Sequence, residues 1–136
     1  MTTEIFTNRK LPEIKVPLFG GTVILCRTQI ELQDLLQYNG YNRASDHVGG
    51  SCITIHCEVS KARYYIVSVF NDSIGTLSHE LSHATFHILS DVGVTVKGDD
   101  SNETFCYMMG HLMFHALTKL KAETHFPETK ALQSGK

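Results

Sequence analysis

The chain has 136 residues, 42% hydrophobic and 19% charged, a globular balance that excludes a disordered polypeptide and is long enough to bury a core without staples. A formal net charge of −2 gives no electrostatic case for nucleic acid or an anionic membrane as partner. No apolar run approaches the roughly 20 residues needed to span a bilayer.

A single domain, 1–136, is expected, with its core over about 16–120 and loosely ordered ends. The first residues, "MTTEIFTNRKLPEIKVPLFGG", lack an uninterrupted apolar segment after their charges and do not read as a secretory signal. Cys26, Cys52, Cys57 and Cys106 are scattered without C-x-x-C spacing. Free thiols in a reducing compartment, hence the cytoplasm, are the simplest reading.

Residues 1–13 are expected to form an arm. Thr22 to Arg27, "TVILCR", is a β-rich run after the flexible pair Gly20-Gly21. Thr28 then caps a helix with Glu31 three residues on, and Ile30, Leu32, Leu35 and Leu36 supply its apolar face. A polar loop from Tyr38 to Gly50 follows. "SCITIHCEV" and "RYYIVSVF" read as the strands of a hairpin joined by "SKA". In the second strand Tyr65, Val67 and Val69 should face one side, and Tyr64, Ile66, Ser68 and Phe70 the other.

Ser73 or Thr76 can cap the next helix, "TLSHELSHATFHIL". At 100° per residue Ile74, Leu77, Leu81, Ala84, Ile88 and Leu89 share one arc, while Thr76, His79, Glu80, His83 and His87 cluster opposite. Ser101 or Asn102 caps a last helix with Phe105, Met109, Leu112, Ala116 and Leu120 at helical spacing. The tail after Lys121 has little to pack.

The chain holds eight histidines and no Trp. His79 pairs with His83, and His111 with His115, at i and i+4. His79-Glu80-Leu81-Ser82-His83 is H-E-x-x-H. Two imidazoles one helical turn apart can converge on one Zn²⁺, and the Glu between them, rotated by about 100°, is better placed to hold a water than to ligate. The same composition would also describe a solvated helix face with surface histidines. The strand before the motif and the acidic helix start after it favour the metal.

A catalytic Zn²⁺ site needs a third protein ligand and an open position. The longer pattern H-E-x-x-H-x-x-G-x-x-H fails, because Phe86 and Leu89 occupy its Gly and last His positions. His87 shares the face but lies about 12 Å along the axis from His79. Cys52 in "GGSC" is a candidate of the kind peptide deformylases use, without their glutamine motif. Glu103, with nineteen residues between it and His83, opens the next helix, where it can also serve as a capping carboxylate.

This arrangement resembles the gluzincins, thermolysin-like zinc peptidases in which a Glu on the following helix completes a His-His-Glu site. "VPLFGGTVIL", "TLSHELSHATFHIL" and "NETFCYMMGHL" look like the small zincin-like proteins common in bacteriophage genomes. The resemblance covers roughly residues 16–118, with the H-E-x-x-H its one sharply diagnostic part.

It implies an α+β fold, a minimal gluzincin domain whose mixed β-sheet packs on the H-E-x-x-H helix and a following ligand helix. It further implies zinc on His79, His83 and Glu103, Glu80 as general base, and a peptide or protein substrate bound along an edge strand, for which "RYYIVSVF" is the expected cradle. Location would be cytoplasmic, the host cytoplasm for a phage protein. Larger gluzincins often carry Asp four residues after the ligand Glu, where this chain has Tyr107. That Tyr could stabilise an oxyanion, support the ligands, or be core. His47, His111 and Tyr41 are further oxyanion donors to consider.

Three readings stand at this point: a small zinc peptidase or amidohydrolase, a catalytically inactive zinc-binding zincin acting as an interaction module, and a metal-free α+β domain.

Overall fold

The structure, a computed structural model, describes residues 11–42, 49–99 and 102–120. The expected N-terminal arm up to residue 10, the tail after 120, His47 and Ser101 lie outside the described residues. Elements run β1 (Glu13–Lys15), β2 (Thr22–Cys26), α1 (Gln29–Tyr38), β3 (Gly50–His56), β4 (Arg63–Val69), α2 (Ile74–Asp91) and α3 (Glu103–Leu120). The fold is α+β, with a mixed four-stranded sheet and three helices among the described residues.

Sheet order is β1-β2-β4-β3: β2 and β4 run parallel at the centre, flanked by antiparallel β1 and β3. β4 is therefore an interior strand, which corrects its expected role as a substrate-binding edge. Six of its seven residues are buried, as a strand paired on both sides and covered on both faces must be. The edge on that side is β3, with a more exposed pattern. β3 also ends at His56, short of the expected Val59. The loop is closed by hydrogen bonds between Cys57 N–H and Ala62 C=O (2.8 Å) and between Lys61 N–H and Cys57 C=O (2.8 Å), with Lys61 left-handed at φ 64°.

β1 opens at Glu13, the last residue of the expected arm, and lies ahead of the expected core at about 16–120. Its Ile14 is 3% exposed and packs with Val16, Val23 and Leu25, too short an alternation to read as a strand beforehand. The turn into β2 needs Gly21: φ is +100°, and a Cβ there would stand 2.9 Å from Tyr65 Cε2.

Strand alternation divides the sheet into two faces, as expected. Tyr65, Val67 and Val69 pack with Val23, Leu25 and the apolar sides of α2 and α3. Tyr64 and Ile66 pack with Ile24, Cys26 and Leu32, Leu35 and Leu36 of α1. α1 begins with Thr28 Oγ1 accepting from Glu31 N–H (3.0 Å), while the Glu31 carboxylate accepts from Arg27 N–H (2.6 Å). Ile30, placed in the apolar face, is 65% exposed, and Gln33 is buried in its stead. No helix among the described residues is long and apolar enough to cross a membrane, and none of the four cysteines forms a disulfide among the described residues.

Candidate metal centre

α2 carries the centre, and its rotation is set by the core. Ser73 caps it, its Oγ accepting from Thr76 N–H (3.3 Å). Leu77, Leu81, Ala84, Ile88 and Leu89 are all 0% exposed. With that stripe inward, the 100° step per residue turns His79 and His83 out to solvent. Their rings meet edge-on with centroids 4.8 Å apart.

Glu80 departs from the expected polar arc. It is 8% exposed, because its row of the helix is the border turned toward β3. Its Cγ lies beside Gly50, and its charge is felt by Cys52 on the same strand. Burial, and then that charge, push the Cys52 thiol up to about 12. Cys52 therefore holds its proton at neutral pH, unlike a thiol primed for a metal.

The carboxylate of Glu80 and one ring nitrogen from each of His79 and His83 lie within 4.8 Å of one another. This is the one His/Cys/Asp/Glu group of three or more among the described residues with metal-holding geometry. Two imidazoles and a carboxylate are metal-ligand donor types, so the group could hold a metal ion.

The other expected site residues stand apart from that group. Glu103 is exposed in the first turn of α3. That turn is docked on α2, with Phe105 stacked at 4.7 Å on Phe86 and Met109 Sδ reached by the hydroxyls of Thr85 (3.5 Å) and Ser82 (3.9 Å). Tyr107 is 77% exposed, which removes the core reading of that residue. His87 is exposed, and Tyr41 is at the surface. His111 and His115 form their own half-buried pair with ring centroids 4.3 Å apart. Burial and the charge of His115 lower the His111 pKa.

A polar knot ties the far end of α2 to the sheet. The Tyr65 hydroxyl donates to Asp91 Oδ2 at 2.7 Å, and His56 Nε2 lies 3.1 Å from the same oxygen. Sequence reasoning missed it, because Tyr65 and His56 read only as strand residues and Asp91 lies beyond the expected helix stretch ending at Leu89. It missed Gly50 as well, for which the one signal was the doubled glycine before β3.

No known protein family, curated protein or solved structure matches the chain.

Proposed function

We propose that this protein is a zinc-dependent metallopeptidase of the zincin kind, hydrolysing peptide bonds with an activated water. The convergence of His79, Glu80 and His83 within 4.8 Å, with Glu80 buried and the imidazoles open to solvent, carries the reading.

His79 and His83 would hold the ion. Glu103 is the third ligand that the gluzincin resemblance implies. Its helix is already anchored on α2 through Phe105 and Met109, and its side chain would have to turn toward the pair. When bound, Zn²⁺ would supply Lewis acidity to a carbonyl oxygen and acidity to a water.

Glu80 does the proton work. Its carboxylate takes a proton from the water as the water oxygen bonds the carbonyl carbon. It then delivers that proton to the amine nitrogen as the C–N bond breaks. Its shielded place under β3 limits exchange with bulk solvent. Tyr107, exposed four residues beyond Glu103 on α3, would have to turn toward the pair with it to serve as a donor for the developing oxyanion. The free edge of β3, which borders Glu80 at Gly50, can take an extended substrate as an added strand.

The test is a peptide-library cleavage assay on wild type and Glu80→Gln, with zinc content measured on both. Glu80→Gln should keep zinc and fold while losing rate by about 10²–10⁴-fold. Cleavage that survives Glu80→Gln refutes Glu80 as the base. A fully zinc-loaded wild type that cleaves nothing points instead to the interaction module.

A further inference from the structure

We infer that Gly50 is a positioning residue for Glu80, and that the absence of a side chain at the start of β3 is what lets the carboxylate sit beside the two imidazoles. The inference rests on the reading of Glu80 as the general base.

Gly50 has no need of glycine for its backbone, since its φ lies outside the left-handed region that marks Gly20, Gly21, Gly40 and Gly93. Its requirement is space. A Cβ at Gly50 would stand 2.5 Å from the carbonyl oxygen of Ser68, 2.8 Å from Thr76 Cγ2 and 3.2 Å from Glu80 Cγ. The first two distances lie inside the contact limit of heavy atoms. The first is to backbone of the neighbouring strand, which cannot swing aside. The other two are to side chains one helical turn apart on α2.

Gly50 is thus the point where the edge strand and the metal-bearing helix come into contact. β3 is held there through its pairing with β4, Gly50 opposite Val69. Thr76 and Glu80 approach from the helix. Any side chain at 50 must push the strand end off the Ser68 carbonyl of β4 and, on the helix side, either lift it from α2 or turn Glu80 away from His79 and His83. Gly49 and Gly110 lack this constraint. A Cβ at Gly49 would find the flexible amide of Asn71 at 3.2 Å, and one at Gly110 would find nothing within 4 Å.

The consequence differs from simple destabilisation. Both imidazoles belong to α2 and keep their places, so metal capture should survive while the base is misplaced. A displacement of about 1 Å in a catalytic group can cost about 10²-fold in rate.

The experiment compares wild type, Gly50→Ala, Gly49→Ala, Glu80→Gln and Gly50→Ala/Glu80→Gln. The readouts are Co²⁺ affinity, the visible spectrum of the Co²⁺-loaded protein, and kcat and KM on a peptide cleaved by wild type. Gly50→Ala should bind Co²⁺ within about threefold of wild type, show an altered Co²⁺ spectrum, and lose about 10²-fold in kcat at little-changed KM. Gly49→Ala should match wild type.

The double variant decides the route. If Gly50 acts through Glu80, Gly50→Ala should change neither the rate nor the spectrum further once Glu80 is Gln. Multiplicative losses, or a Gly50→Ala protein with wild-type spectrum and kcat, would overturn the inference. Thr76→Ser, which removes only the methyl on the opposing wall, covers the case of a Gly50→Ala protein that does not fold. It should lower kcat severalfold with Co²⁺ affinity unchanged, and an unchanged kcat counts against the inference. Wild type that neither binds Co²⁺ nor cleaves peptide sinks the proposed function itself, and this inference with it. Wild type that does both, with uncoupled variants, sinks this inference alone.

Discussion

Replacing Tyr65 by Phe removes one oxygen from the knot that fastens α2 to the sheet. The ring lies in the core at 0% exposure and keeps its packing, so the loss is that of a hydrogen bond rather than a cavity. The hydroxyl donates at 2.7 Å to the Asp91 carboxylate. Bonds to charged groups are worth about 1.5–3 kcal/mol. Asp91 retains His56 at 3.1 Å, and its side chain is 20% exposed, so water can replace part of what is lost. A destabilisation of about 1–2 kcal/mol follows.

Asp91 closes α2 at the negative end of its dipole, so it depends on those donors more than a surface Asp would. Burial, Asp91's hydrogen bond and its charge raise the Tyr65 phenol above its usual value. A raised acid keeps its proton in the folded state while the unfolded chain releases it. Its stabilisation is therefore complete below about pH 10 and declines as pH rises beyond that. Urea unfolding of wild type and Tyr65→Phe, followed by circular dichroism at about pH 8 and about pH 11, should show the difference between them shrinking at the higher pH. Zinc affinity should not change, since the ligands lie more than a turn away. Equal stability at pH 8, or a gap that does not narrow, would refute the account.

Glu103→Ala should weaken zinc affinity far more than His87→Ala in a competition assay with a chromophoric chelator, and the reverse order would overturn the gluzincin-like ligand set. Gly110→Ala should raise stability by about 0.5–1 kcal/mol, read as a higher Tm, because the position is mid-helix, exposed and free of neighbours within 4 Å. Iodoacetamide at neutral pH should label exposed Cys106 while sparing Cys52, whose thiol is pushed up to about 12, and mass mapping would show an inverted order if that environment is wrong.

What could be read in advance was what depends on local periodicity. The two-residue alternation of "RYYIVSV" gave the right split between faces, since Tyr65 and Val67 fall in one core and Tyr64 and Ile66 in the other. The three-to-four spacing of Leu77, Leu81, Ala84 and Ile88 gave the buried stripe of α2. Strand order was another matter. Nothing within "RYYIVSVF" says that β2 lies along its far side, because a parallel partner arrives from 42 positions earlier in register, Thr22 opposite Tyr64. Non-local pairing also put Ile14, just outside the expected core, into the core.

At the site, the imidazole pair was legible and the environment of the carboxylate was not. A helical wheel places Glu80 at the border of two arcs, and only the neighbouring strand decides whether a border residue is wet or dry. Gly50 and Cys52 make it dry. His56, Tyr65 and Asp91 meet across 26 and 35 positions of sequence, beyond any local pattern.

The metal group is therefore a by-product of how α2 is packed as much as of the motif itself. A helix is a rigid cylinder with 100° between successive residues, so fixing one face fixes all the others. Four leucines and isoleucines at 0% exposure, with Ala84 among them, hold that rotation. The result divides the motif's three polar residues between two solvents: imidazoles facing water, where an ion can arrive, and a carboxylate shielded beneath a strand end. H-E-x-x-H by itself specifies neither half of that division. A solvated helix face would have left all three residues wet, whereas here Glu80 is buried.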